Sequence, residues 1–445
     1  MADKLLVRVY NVGLGDCIYL RVPDEGGAKH LLIDCGNKFA TAEDLEAAIA
    51  DVKTLLPPVP GEPDRVRLDL LVATHAHEDH VRGFDVDLFA GIQVDRLWMS
   101  AAMDRDHPQA EGAHALHAFA LEALARLQLS PKPGLADWAA SMLALSKDDG
   151  MDALLDDLPV GKRQYVHADT TARKLKLFRD PAIRLRVLAP MEDIDGYYLG
   201  RETPIALSQL QAMRAAAGAA AEGAAEGTPV TAATAQPANV SREDFERLRR
   251  SLTDQALAFV LKEGELVNNT SVVLLLEWRG RRLLFTGDAE VKTSFKGQFQ
   301  EGRGNGSWNV MWHERQDALS QPVDFLKVGH HGSHNATPWT SKKSGGGEHP
   351  INAILDSLLP LPEEGAPPPE RYAVVSTARS GYPTIPDPAL MMELGRRVAN
   401  VRAYEESTDH PHFVPAGELQ PQRTDLETAD GERVPWIEIE LAPVP

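Results

Sequence analysis

The 445 residues are 43% hydrophobic, enough for a large core without covalent staples, and the only cysteines, Cys17 and Cys35, exclude a disulfide framework or a four-cysteine zinc site. A net charge of -19 excludes a sequence-wide positive field for phosphate backbones, so any nucleic-acid contact has to rest on a local basic groove. No run approaches the ~20 apolar residues of a spanning helix, and the opening MADKLLVRVYNVG lacks the pattern of a signal segment, so the expected location is cytoplasmic, without membrane contact.

The first elements read as strands. Apolar residues alternate through Leu5 to Tyr10 and Cys17 to Val22, and HLLIDCG, His30 to Gly36, follows a Gly-rich turn. The two cysteines are expected to pack as small hydrophobes in adjacent strands. TAEDLEAAIADVKTLL then predicts a helix, with Thr41 and Asp44 at the spacing of a capping box. The run LDLLVAT, Leu68 to Thr74, returns to a strand, and strand, helix, strand is the rhythm of an α/β protein.

From 101 to 180 the chain is rich in Ala, Leu and charged residues at helical spacing, which predicts a mainly helical insertion before strands resume at LRVLAP, Leu185 to Pro190. The stretch 205–240, dominated by Ala, Gly, Glu, Thr and Pro, offers little to bury and is expected to be a flexible linker or surface loop. A helix from Ser241 to Lys262 precedes strand signals in SVVLLLEW from Ser271, RRLLFTG from Arg281 and DFLKVGHHGS from Asp324. The segment 350–445 repeats strand, helix, strand in RYAVVSTA, PDPALMMELGRR and VRAYEES, and is expected to close the sheet of a single domain spanning 1–445.

Chemistry concentrates at strand ends. His75, His77, Asp79 and His80 of HAHEDH follow directly on an apolar strand, where α/β proteins place their reactive groups. Imidazole and carboxylate donors suit Zn²⁺, in one or two copies, and also Mn²⁺. An open coordination position lets bound water lose a proton near pH 7. GDAE, Gly287 to Glu290, ends a second strand and offers Asp288 as a carboxylate able to bridge two ions. GHHGSH, Gly329 to His334, ends a third and offers His330 or His331. His330, nearer the strand, is the favoured ligand, which leaves His331 to donate a hydrogen bond or proton to a leaving oxygen.

Strand-HxHxDH, strand-GD and strand-HHGS in this order resemble the metallo-β-lactamase superfamily. The stretches NVGLGDCIYL (Asn11 to Leu20), LLIDCG (Leu31 to Gly36), HAHEDHVRG (His75 to Gly83), NNTSVVLLLE (Asn268 to Glu277) and LKVGHHGS (Leu326 to Ser333) resemble more closely the hydrolase domain of the bacterial competence protein ComEC and its soluble relatives. The resemblance implies an αββα sandwich with a helical insertion. It implies His75 and His77 on one metal, Asp79, His80 and His330 on a second, and Asp288 between them, with Asp79 also orienting the attacking hydroxide. Asp34, Asn269 and Ser333 would support these ligands from behind.

The chain departs from that pattern in two places. The third His that many relatives supply to the first metal has no strand-ending counterpart; His107, His114, His117 and His167 all lie in or near the insertion, and of these His114 and His117 share a helix face. The closing ARSGYPTIPDP, Ala378 to Pro388, has no His where relatives commonly carry one, leaving Arg379 and Tyr382 as alternatives.

The function expected from these residues is metal-dependent hydrolysis of a phosphoester, phosphodiesterase or nuclease-like, on a small phosphoester or a single-stranded nucleic acid rather than duplex. The same metals would serve a lactone, thioester or β-lactam. A third reading is a regulatory or partner-binding module with a retained metal site, although nothing in the sequence identifies a protein partner.

Overall fold

Period-two burial explains the first strands. In β1 (Leu5–Tyr10) Leu5, Val7 and Val9 enter one buried cluster, while Leu6 and Tyr10 enter another on the opposite face. In β2 (Cys17–Asp24) Ile18, Leu20 and Val22 face the first cluster, and Cys17 and Tyr19 the second. Both faces are covered, so these strands read as nearly continuous apolar runs. Cys17 and Cys35 are register partners between β2 and β3 (Gly27–Cys35), buried and free.

The computed structural model describes most of the chain; outside the described residues lie 1–3, 129–133, 141–148, 209–256, 345–346, 367–369, 379–381, 400–403, 406–413, 416–434 and scattered single positions. Almost all of the Ala/Gly-rich stretch, the first part of the helix expected from Ser241, and Arg379 therefore lie outside them.

The chain is an α/β protein with a large mixed sheet and a smaller mixed sheet. Among the described residues the large one has nine strands and adds β4 (Pro58–Val59), β5 (Glu62–Leu68), β6 (Leu70–Ala73), β7 (Ile92–Ser100), β8 (Val160–Val166) and β16 (Trp436–Leu441) to the first three. Its order is β16-β1-β2-β3-β6-β7-β5-β4, with β8 also paired to β7. The five-stranded sheet runs β13 (Tyr372–Val375), β12 (Phe325–Val328), β11 (Arg281–Phe285), β10 (Val273–Trp278) and β9 (Arg184–Ala189). A short pair, β14 (Tyr404–Glu405) with β15 (Val414–Pro415), stands apart from both.

One apolar cluster joins the sheets, combining Leu5, Val7, Ile18 and Leu31 of the first with Leu274, Leu276, Phe285 and Phe325 of the second. Each sheet's other face is covered by helices. Helix α1 (Ala42–Leu55) buries Leu45, Ala48, Ile49 and Val52, the i, i+3, i+4, i+7 stripe of an amphipathic helix, against the large sheet. Helices at Ser307–Glu314, Asn352–Leu358 and Pro388–Gly395 cover the small one through Met311, Leu355 and Leu394.

Three local expectations change. Thr41 is the N-cap of α1 by backbone conformation, but its hydroxyl donates to the Asp44 carboxylate at 3.4 Å and caps no backbone N–H. The segment 101–180 contributes helix α3 (Glu111–Leu127) and also β8, which pairs in parallel with β7; VGKRQYV hides its strand character because most of its residues are only partly buried and only Val166 is fully buried. The closing segment serves both sheets: β13 ends the small one, while β16 runs antiparallel to β1 in the large one.

Candidate metal centre

The site forms where strands of both sheets end. β6 delivers Thr74 and His75, and the turn after it begins helix α2 (Glu78–Val81), which carries Asp79 and His80. From the small sheet, β11 ends in Thr286, Gly287 and Asp288, and β12 leads into His330 and His331. Glycines allow the approach. A Cβ on Gly36 would lie 2.4 Å from the Asp79 carbonyl carbon and the His80 nitrogen, and one on Gly15 would lie 2.2 Å from the Gly36 oxygen, so NVGLGD and DCG pack bare backbone beneath the turn that carries Asp79 and His80.

One ligand atom from each of Asp79, His80, Asp288 and His331 lies within 4.8 Å of the others, and the same holds for His75, His77 and Asp288. Asp288 belongs to both groups, the placement a bridging carboxylate requires. Its Oδ1 is 3.2 Å from His80 Nε2 and its Oδ2 is 3.8 Å from His75 Nε2. His75 Nε2 and His77 Nδ1 are 3.1 Å apart.

The centre groups His331, not His330, with Asp79, His80 and Asp288, against the order expected from the sequence. Both residues adopt left-handed conformations, φ 41° and 53°, so direction from the strand end does not predict which ring turns inward. His331 Nδ1 donates to the Ser376 carbonyl at 3.0 Å, which leaves Nε2 2.8 Å from Asp79 Oδ2. His330 instead places Nδ1 2.9 Å from Glu290 and 3.2 Å from the Ser333 hydroxyl, while its backbone N–H donates to Asp288 at 2.7 Å.

Asp34 is fully buried with φ 57° at the end of β3. Its carboxylate accepts from the Thr74 N–H, the Thr74 hydroxyl and His80 Nδ1, each at 2.7 Å. His80 is thereby flanked by carboxylates on both nitrogens, while Nε2 is buried with no hydrogen-bond partner. A neutral imidazole has a single N–H to share between two acceptors; a cation between Nε2 and Asp288 satisfies the ring and the carboxylate together. Burial opposes the charge on His80, but Asp288 and Asp34 raise its pKa well above the ordinary value. Burial works against ionised Asp79 too, yet the His331 contact and the neighbouring His80 hold it below the usual carboxylate range. His75 goes the other way, pushed down by burial and by His80. The donor set and this compensation fit a divalent ion bound by imidazole and carboxylate.

Behind the centre, Glu290 accepts from Asn268 Nδ2 at 2.9 Å and Asn269 Nδ2 at 3.3 Å, while Asn269 Oδ1 accepts from the Ser307 N–H at 2.6 Å. Ser333 donates to Asn335 Oδ1 at 2.7 Å. Sequence reasoning missed Glu290, although the paired asparagines of NNTS are its partners. It also missed Lys327, buried in β12 with Nζ donating to buried Asp16 at 2.8 Å. The available signal was a lysine inside an apolar strand, which requires a carboxylate nearby. The Asp16 N–H in turn donates to the Asp79 carbonyl at 3.0 Å.

The clusters open on a cavity of about 1030 Å³ whose lining includes His75, His77, Asp79, Asp288, His330 and His331. His114 and His117 of α3 line it as well, but His114 Nε2 is 3.2 Å from the Ala102 carbonyl, His117 is 2.8 Å from Glu263, and neither belongs to the His75–His77 group. His107 Nδ1 accepts from the Gln109 N–H, and His167 falls in a separate group with exposed Asp169 and Glu192. Tyr382 reaches the cavity wall. Among the described residues no helix is long and apolar enough to cross a membrane. No protein-family model and no curated protein matches the sequence.

Proposed function

We propose that the chain is a metal-dependent hydrolase of the metallo-β-lactamase fold, built like the ComEC-type enzymes, and that it cleaves phosphodiesters. The observation that carries the reading is the convergence of His75, His77, Asp79, His80, Asp288 and His331 from two sheets into adjoining groups that share Asp288. Two sheets joined by a common core and covered by helices support the αββα architecture.

In this reading His75 and His77 hold one ion, Asp79, His80 and His331 the other, and Asp288 both. Zn²⁺ or Mn²⁺ bound there supplies Lewis acidity toward a phosphoryl oxygen and acidifies water. The protein's own share is orientation. Asp34 fixes the His80 ring from behind, the Ser376 carbonyl fixes His331, and Asp79 stands at the cavity face, where it orients the attacking oxygen. His330, anchored by Glu290 and Ser333 at the same face, is placed to hand a proton to the leaving oxygen.

Elemental analysis of purified protein is expected to find Zn²⁺ or Mn²⁺. Chelation should abolish turnover of bis(p-nitrophenyl) phosphate and restored metal should return it, while Asp79→Ala lowers kcat/KM by about 10²-fold or more. Metal-dependent opening of lactones, with none on the phosphodiester, moves the reading to acyl hydrolysis. A metal-free protein whose cellular role survives Asp79→Ala makes it a partner-binding module.

A further inference from the structure

Outside the His and Asp groups, the cavity has a wall unlike its floor. Met103 from the turn Ala101–Met103, Met151 and Leu155 from helical segments spanning 149–157, and Val260 and Leu261 from the helix over 257–269 all line it. These come from separate stretches outside both sheets. Leu261 is 60% exposed, and Met151 and Leu155 are only partly covered by the core under the large sheet. The wall is backed by packing, since α3 contributes Leu116, Phe119 and Leu124 to a cluster with Val260 and Leu266, and Phe119 and Phe259 meet edge to face with centroids 5.2 Å apart.

The charges lining the cavity point the same way. Its lysine and arginine are Lys38 and Arg105, among the described residues, and Arg105 already lies 3.8 Å from Asp152. Glu78, Asp152, Glu263 and Glu265 line the same space. A polynucleotide draws its affinity from one Lys or Arg per phosphate contacted, and along this lining it would meet carboxylates instead. A volume of about 1030 Å³ is at the upper end of small-molecule pockets, where apolar walls supply affinity and a few polar groups fix orientation.

We propose that the substrate is a compact phosphodiester with a single anionic phosphoryl group joined to an apolar or aromatic body that seats on the wall of Met103, Met151, Leu155, Val260 and Leu261. The proposal rests on the hydrolase reading above. Hydrolysis adds one water across the ester: its oxygen bonds to phosphorus, the bond from phosphorus to the leaving oxygen breaks, one proton ends on that oxygen and the other is released.

The test uses the full chain loaded with zinc. Initial rates are measured on p-nitrophenyl phosphodiesters whose second arm is methyl, phenyl or hexyl, and on labelled oligothymidylate, while calorimetry compares methylphosphonate with phenylphosphonate. The expected result is a kcat/KM at least about 10-fold higher for phenyl and hexyl than for methyl, the oligonucleotide slower than either, and tighter binding of phenylphosphonate. Leu261→Ser, at an exposed position that tolerates polarity, should shrink the phenyl-to-methyl ratio through KM. Equal affinity for the two phosphonates, or oligothymidylate as the fastest substrate, overturns the proposal and leaves the hydrolase reading standing. No turnover of any ester with the phosphonate preference intact overturns the hydrolase reading and supports the wall as the ligand-selecting surface.

Discussion

Two adjacent histidines with left-handed backbones make different contacts at the end of β12, and side-chain direction rather than sequence order decides which groups with Asp79, His80 and Asp288. His331 has one nitrogen committed to the Ser376 carbonyl and the other turned to Asp79, whereas His330 is committed to Glu290. His331→Ala is therefore expected to lower zinc affinity by at least about 10-fold in competition with a fluorescent chelator, and His330→Ala to keep the metal while lowering turnover. The reverse pattern would restore the order expected from the sequence. A second titratable residue acts far from the centre. Burial pushes His30 down to about 4, and the Tyr19 hydroxyl shares a hydrogen bond of 2.7 Å with its Nδ1. The unfolded chain protonates this ring near its ordinary 6.5, so the contribution of His30 is complete above that pH and is lost as pH falls toward about 4. On the order of 3 kcal/mol is at stake, and the melting temperature of His30→Gln should fall less steeply with acidification than that of the wild type. The residues that gather at the centre were legible as candidates because HxHxDH, GD and HHGS place rare donor types at strand ends. The choice between His330 and His331 was not, because alternation has no meaning across consecutive left-handed residues.

Among the elements, the strands dominated by apolar residues, β1, β2, β3, β6, β10, β11 and β12, were readable from the chain alone, since burial on both faces leaves few positions for polar residues. The partly buried strand β8 was not, because its partner on β7 supplies a backbone ladder that no side-chain pattern announces. The glycines of NVGLGD and DCG were visible as motif letters, but their reason emerges only from the packing of Gly15 and Gly36 under the turn carrying Asp79 and His80. Gly36→Ala forces that backbone apart and is expected to cost about 2 kcal/mol or more, lowering melting temperature and metal content together. Gly264 gives the contrast, within the helix over 257–269 with nothing within 4 Å of an added Cβ. Gly264→Ala should stabilise the protein by up to about 1 kcal/mol, read by the same thermal melt.

At the scale of the whole molecule, the chain weaves its sheets together instead of completing one before the other. β9 enters the small sheet after β8 has joined the large one, and the last described strand, β16, returns to pair with β1. The Trp278 indole N–H of β10 donates to the Pro23 carbonyl of β2 at 2.9 Å, a further tie across the shared core. The strand rhythm made an α/β protein legible, but strand order depends on pairings hundreds of residues apart, which no local pattern encodes. Because His75, His77, Asp79 and His80 belong to one sheet and Asp288 and His331 to the other, an ion gripped by both acts as a rivet whose hold is lost when the sheets part. Zinc at 100 times its dissociation constant should therefore add about 2.7 kcal/mol to the folding free energy, with chelation lowering the melting temperature to match. An Asp288→Asn variant should melt at nearly the same temperature with or without zinc. The thermal midpoint then serves as a gauge of cation occupancy, readable before any substrate is known.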